Sequence, residues 1–585
     1  MKSVFLSAAA TLAALSVLVT PAAAQAPVKA LEGLWEARGW FGPELRGRLV
    51  VDRTAAGWSA DLMGRTARGE VRGADVLFDF GRDGRLRIRL NAPGGAAGWW
   101  TQGHGPFSPA SFITPVELAA EARGRWSGRI EPVDDTLTLF MPVTVGADGQ
   151  ATTYLRNPER NVGRMLRLGR VELAGDEVSL VGRPFGARED TVVGRGRFDP
   201  DNDILSVYVQ RVGQTYEFHR VRPGQASGFH PRGSGPAPYR YLPPPARDDG
   251  WPVGTIEEAG IDRAGLERFI QHVIDLPVTS LSTSDVHAVL IARRGRLVVE
   301  EYFHGMDRNQ RHDTRSAGKS IAATIVGAVI NAGHPLSVQT PVYATLGLDA
   351  PDMDPRKRAI RMEHLLLQTA GFHCDDDDEN APGNEDRMQG QREQPDWYRY
   401  SLATPMISAP GEAAPVYCSM QPNLMGAVTA KAAGQRLEDL FADLVARPMG
   451  IRRYALNTQP TGEYYWGGGA YLEPRDFLKF AQVMMDGGTW RGRRVVSRDW
   501  ARRSTAPLEN FGNRQYGYLW WSQTYPYKGG EVRAFYAAGN GGQIAMAIPE
   551  LDLVVGFMGG NYSDGAALIP QREYVPNLIL PGVSR

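Results

Sequence analysis

The sequence predicts a multidomain protein in which an N-terminal all-β domain, a sandwich or a barrel, precedes a C-terminal α+β domain. Three observations lead there. At 585 residues the chain exceeds what one hydrophobic core usually supports. Residues 31–221 break into short runs of alternating apolar and polar residues, separated by turns that contain Gly and Asp. Beyond residue 253, a buried-type helix is mixed with a hairpin and late strands rather than a regular strand-helix-strand repeat.

Met1 to Ala24 carries one Lys, an apolar run from Ala8 to Val19, and Ala22-Ala23-Ala24 before Gln25. That is the pattern of a secretory signal peptide, residues 1–24, and it predicts a periplasmic or secreted protein. No later apolar run reaches the roughly 20 residues that span a bilayer, so no membrane span is expected. Lys+Arg and Asp+Glu both number 65, and no polybasic tail is present, which disfavours nucleic acid as a partner.

The β-rich region, residues 28–221, contains Leu86-Arg87-Ile88-Arg89-Leu90, Thr136-Leu137-Thr138-Leu139-Phe140 and Leu205-Ser206-Val207-Tyr208-Val209. Each run fits a strand with one solvated face. Trp99 and Trp100 fit either core packing or a platform for a sugar ring, so a cell-envelope glycan contact through this domain stays open. Residues 222–252 are rich in Pro, Gly, Ser and Arg, include Pro243-Pro244-Pro245, and read as a semi-rigid linker.

In residues 253–585 a helix pattern near Ala264–Ile274 precedes a hairpin, Val289–Ala292 turning at Arg294-Gly295 into Leu297–Tyr302. Next comes Ser316-Ala317-Gly318-Lys319, opening the apolar helix Ile321–Ile330. Residues three apart share a helix face, so Lys319 can approach the Ser316 hydroxyl. Serine is a weak nucleophile unless a neighbour takes its proton, and a lysine desolvated among apolar groups can lose its charge and do so. Gln543–Ile548 and Leu553–Phe557 read as the last strands. The two cysteines, Cys374 and Cys418, fit a disulfide in an exported protein. Between them, Asp375–Glu379 lacks the alternating spacing of a calcium loop and reads as a solvated turn; no metal site is expected.

Arg315-Ser316-Ala317-Gly318-Lys319-Ser320 and the helix after it resemble the nucleophile motif of the serine β-lactamase and penicillin-binding-protein superfamily. Further segments resemble that family in the same order: Glu300-Glu301-Tyr302-Phe303, then Ile360 to Leu366 with Thr369-Ala370-Gly371-Phe372, then Pro410-Gly411 with Tyr417-Cys418-Ser419. Gly467-Gly468-Gly469, Pro474-Arg475-Asp476 and Gly539-Asn540-Gly541-Gly542-Gln543 complete the series. The subgroup most resembled is the class C β-lactamase-like hydrolases of the esterase and aminohexanoate-oligomer hydrolase type.

This resemblance implies a β-lactamase/transpeptidase-like fold for residues 253–585 and a cofactor-free serine hydrolase acting on a small ester or amide through an acyl-enzyme. Ser316 would be the nucleophile, with Lys319 and Tyr417 as the proton-transfer pair. Ser316, Ser419, Gly539, Asn540 and Gly541 would form the oxyanion and substrate contacts. Two departures narrow it. Ser419 stands where the family usually has Asn, and Ala537-Ala538-Gly539 lacks the usual Lys or His. Both steer away from substrates held by a carboxylate and toward esters or amides without one. A catalytically idle envelope-binding or sensor protein of the same fold is the alternative.

Overall fold

The structure, a computed structural model, describes residues 28–89, 97–103, 111–210, 213–222, 224–225, 228–233, 235, 237–348 and 353–585. Residues 1–27, on which the predicted signal peptide falls, Leu90 and part of the Pro- and Gly-rich segment lie outside them.

Where the sequence reads as one sandwich or barrel, the described residues close two eight-stranded rings, the second inserted within the sequence of the first. Gly33–Trp40 pairs with Thr136–Val145 on one side and Gln214–Arg220 on the other, and the strands from Ala151 to Val209 complete the first barrel. The excursion between Trp40 and Thr136 builds the second. Its strands run from Gly47–Thr54 to Arg125–Ile130, and the latter pairs with both Gly47–Thr54 and Phe112–Ala122. Closure removes the free strand edges that an open sheet would expose. Each barrel has its own apolar centre: Trp35, Leu139, Leu205 and Phe218 in the first, Leu49, Val76, Leu86 and Trp100 in the second. Alternation puts these residues inside, because successive side chains of a strand face opposite ways.

Trp99 and Trp100 are both buried, so neither presents a face to a sugar. Trp99 donates its indole N–H to Asp439 at 2.8 Å. Arg87 and Arg89, on the strand Gly84–Arg89, meet Glu438, Asp439 and Asp443 across the same boundary.

The remainder is built on an eight-stranded antiparallel sheet. Its order is Arg296–Tyr302, Val286–Arg293, Leu553–Gly559, Gln543–Ile548, Gly530–Gly539, Trp521–Tyr527, Arg514–Tyr516 and Glu509–Phe511. The predicted hairpin, the helix Arg263–Ile274 and the two late strands are all present. Pro474–Met485 packs on the middle strands, while Gly318–Asn331, buried along nearly its whole length, packs against Met420–Ala433. Pro245 accepts a hydrogen bond from Arg475, and Tyr241 donates to the Val298 carbonyl, so residues 237–252 lie against this sheet.

A second sheet connection matters for the site. Phe112–Ala122 of the second barrel continues, through Tyr454–Asn457 and Ala470–Leu472, to His312–Asp313. That last short strand ends three residues before Ser316.

Candidate active site

Arg315–Ala317 forms a single 3₁₀ turn that feeds the helix Gly318–Asn331. Arg315 sits at φ 49°, a left-handed setting that costs a non-glycine residue on the order of 1 kcal/mol and is typical of over-determined functional turns. Its surroundings hold it there. The Asp313 carboxylate accepts from the Arg315 backbone N–H and pairs with its guanidinium, both at 2.9 Å, while the Tyr562 ring lies 4.9 Å beneath that guanidinium.

Lys319, one turn on and 1% exposed, donates to Ser316 Oγ at 3.0 Å and to the Gly467 carbonyl. A side chain at Gly467 would strike the Tyr465 hydroxyl, so glycine is what lets that carbonyl reach the ammonium. Burial alone would drive the lysine toward neutrality. Tyr417, Glu385 and Asp376 outweigh it and hold the ammonium above its ordinary value. The setting is desolvated but anionic, so it favours the charged form rather than the discharge that an apolar setting alone would bring.

Tyr417 lies beside this ammonium, its ring centre 4.8 Å from Nζ, and stacks on Trp521 at 6.0 Å. Ser419 is brought to the same corner, yet it has no exposed surface. Its N–H and hydroxyl both donate to Asp376 at 2.7 Å. Cys374 and Cys418 are joined by a disulfide, which ties the acidic turn to the Tyr417 segment. Asp376 also accepts from the Glu385 N–H at 3.0 Å and sits beside the Glu385 carboxylate, itself bonded to the Tyr465 hydroxyl at 2.6 Å. Burial, then Glu385, pushes the Asp376 carboxyl up to about 6.

The acidic run therefore is not uniformly solvated. Asp377, Asp378 and Glu379 are exposed, but Asp376 turns inward. Asp376, Glu385 and Tyr465 were missed because a carboxylate in an acidic loop looks like every other one. The available signal was the disulfide: with Cys418 next to Ser419 and Cys374 two residues before Asp376, pairing the cysteines brings that carboxylate to the Tyr417–Ser419 turn. His364, by contrast, accepts from the Arg361 N–H and serves to cap a short helix.

Gly539, Asn540 and Gly541 approach from the opposite wall. Trp521–Tyr527 pairs with Gly530–Gly539 only as far as Tyr536, so residues 537–539 present an open strand edge, while their other edge pairs with Gln543–Ile548. This stretch lies directly against the nucleophile turn: a side chain at Gly539 would come within 2.1 Å of the Thr314 carbonyl and 3.1 Å of the Ala317 nitrogen. The Asn540 side chain turns away and accepts from the Ser563 N–H at 2.7 Å. Gly541 accepts from the Asn561 N–H at 3.2 Å. A hydroxyl beside a buried ammonium and a phenol, facing an open backbone edge, has the parts for nucleophilic attack and oxyanion stabilisation.

Comparison with known proteins gives a family for this region. Residues 284–562 match the family described as Beta-lactamase. The 6-aminohexanoate-dimer hydrolase of Paenarthrobacter ureafaciens is 25% identical over 264 residues, covering 43% of this chain and 64% of that protein, less than two thirds of its length. Among solved structures, the penicillin binding protein from Bacillus halodurans is 16% identical with a TM-score of 0.39, over 50% of this chain and 97% of that one. EstCE1, described as a hydrolase with promiscuous acyltransferase activity, is 16% identical with a TM-score of 0.41, over 52% of this chain and 96% of its own. The stretch 284–562, which carries Ser316, Lys319, Tyr417 and the 539–541 edge, is a beta-lactamase family domain.

Proposed function

We propose that this protein is an exported serine hydrolase that cleaves ester or amide bonds of small molecules through an acyl-enzyme on Ser316. The observation that carries the reading is the Ser316 hydroxyl, 3.0 Å from a buried lysine that its neighbours keep charged. A charged lysine cannot accept the serine proton, so that task falls to Tyr417, whose ring centre lies 4.8 Å from the ammonium. Ser316 Oγ attacks the carbonyl carbon as its proton passes to Tyr417. Backbone N–H groups of Ser316 and of the 539–541 edge stabilise the oxyanion. As the tetrahedral intermediate collapses, the phenol returns the proton to the departing alcohol or amine. Water then attacks the acyl carbonyl, gives its proton to Tyr417, and the acid leaves as Ser316 is reprotonated.

Ala537-Ala538-Gly539 stands where the resembled family usually carries Lys or His, which supports esters or amides without a carboxylate anchor. The disulfide and the N-terminal apolar segment support export. Among the described residues, no helix is long and apolar enough to cross a membrane.

A fluorophosphonate probe tests the nucleophile. Wild type is expected to be labelled and Ser316→Ala not; a folded wild type that resists the probe would remove the hydrolase reading in favour of an idle binding protein. Nitrophenyl esters, a cephalosporin reporter and an aminohexanoate dimer then sort the substrate class. Faster cephalosporin than ester turnover would overturn the substrate preference.

A further inference from the structure

The connection between the third and fourth strands of the first barrel, residues 154–164, reaches the back of the site through a continuous set of polar contacts. Tyr154 donates to the Val278 carbonyl at 2.7 Å. Arg156, 3% exposed, pairs with the buried Asp285 carboxylate at 2.8 Å. Asn161 donates to the Tyr562 carbonyl at 3.0 Å, and Arg164 reaches both Asp564 at 3.1 Å and the Ser563 carbonyl at 3.3 Å.

What those contacts touch is the frame of the oxyanion wall. The Asp285 backbone N–H donates to Asn561 Oδ1 at 2.6 Å, and its carbonyl accepts from the Gly560 N–H at 2.8 Å. Asn561 and Ser563 then donate from their backbone N–H groups to Gly541 and to the Asn540 side chain. The Tyr562 ring carries the Arg315 guanidinium. A second route leaves Asp285 through His287, whose Nε2 is 3.3 Å from the carboxylate and whose Nδ1 is 2.8 Å from His312, next to Asp313 of the nucleophile turn. Burial would raise the Asp285 carboxyl, but the Arg156 guanidinium, 2.8 Å away, reverses that and holds it below the ordinary carboxylate range. The anion is thus a fixed anchor for the barrel's arginine. His304 and His312, pushed down to about 3 chiefly by burial, stay neutral and hold their positions without charge.

We propose that the 154–164 segment of the first barrel is a positioning device for the reaction: Arg156, Asn161 and Arg164 grip Asp285 and the 560–564 loop, and through them set the 539–541 edge against Ser316. The inference rests on the hydrolase reading for its kinetic consequence, though not for its mechanical one. None of the three residues touches substrate; they act through Asp285, Asn561, Tyr562 and Ser563. The N-terminal barrel on this account is part of the hydrolytic unit rather than a tethered binding module. A shift of about 1 Å in an oxyanion donor lowers turnover by up to about 100-fold, so a clamp at this distance can govern rate.

The test uses the full-length protein with Asn161→Ala, Arg164→Ala and their combination, and Arg195→Ala on an exposed face of the same barrel as control. Ester turnover in the double variant is expected to fall about tenfold or more in kcat with KM within about twofold, because the lost geometry belongs to the transition state. Fluorophosphonate labelling should slow in parallel, and Arg195→Ala should match wild type. Hydrogen exchange supplies a readout independent of catalysis: the backbone N–H groups of residues 539–543 and 560–564 should exchange faster in the double variant alone. Unchanged exchange there, or unchanged kcat beside a lowered melting temperature, would overturn the clamp. If wild type neither turns over esters nor takes the label, the hydrolase reading fails, and the exchange result still decides the clamp.

Discussion

Lys319 is outvoted by its neighbours. Burial works against its charge, and Tyr417, Glu385 and Asp376 together win; in the proposed reaction the role of proton acceptor then falls to Tyr417. Asp376 is the member of this set that titrates in an accessible range. Its folded carboxyl, pushed up to about 6 from the ordinary 3.8, binds a proton more tightly than the unfolded chain does. The associated stability is therefore complete below the ordinary value and lost as pH rises through about 6. Asp376→Asn should flatten the pH dependence of the melting temperature between about pH 4 and about pH 7, and should lower kcat about tenfold by removing one of the groups that keep Lys319 charged. A variant whose melting profile and kcat both track wild type would show that Asp376 does neither. The Ser316–Lys319 approach was legible because helical spacing fixes it. The sign of the lysine's shift was not, since it depends on carboxylates about 60 residues away in sequence that only tertiary folding brings near.

At the scale of elements, the disulfide joins the turn bearing Asp376 to the turn bearing Tyr417. Cys374 and Cys418 are 44 residues apart, and a cross-link of that span stabilises a fold by about 3–4 kcal/mol on the chain-entropy account. Cys374→Ser/Cys418→Ser is expected to melt earlier by that amount and to lose turnover as well, because Tyr417 and Ser419 lie on the freed segment. Thiol titration of the protein before and after reduction checks the bond itself: two free thiols beforehand would refute it. Helix Arg263–Ile274, the hairpin and the two late strands were readable from periodicity, since each buries one regular face. The open edge at 537–539 was not, because a strand's sequence does not say where its neighbour stops.

Across the whole molecule, the second barrel is fastened to the domain that holds the site by charge as well as by strand pairing. Arg87 is buried between Glu438 at 3.0 Å and Asp439 at 2.8 Å, and those anions hold its guanidinium charged despite burial. Removing one partner of such a set leaves the others uncompensated, so Arg87→Ala should destabilise the protein by about 3–5 kcal/mol, read as a lowered calorimetric midpoint. A midpoint within about 1 °C of wild type would show the cluster to be solvated in solution. The strand content of residues 31–221 was evident from alternation, but the division into two barrels was not. Alternation marks each strand's inner face without naming its partners, and here the partner of Gly33–Trp40 lies beyond an entire second ring.

That nesting has a consequence for how the chain can change. Trp40 and Thr136, the residues on either side of the inserted ring, are cross-strand partners. The ninety-odd residues between them leave and re-enter the outer barrel at one point, as a pendant does from a clasp. A two-residue hairpin turn could join those strands directly and leave the outer ring's register as it is. The proposed clamp on the 560–564 loop belongs to the outer ring, whereas the contacts of the inserted one with the rest of the chain include Arg87, Arg89, Trp99, Glu131 and the strand beginning at Phe112. Loss, exchange or enlargement of the inserted ring is therefore open to evolution by a single cut and splice, while the outer ring, on the proposed clamp, is tied to the 560–564 loop.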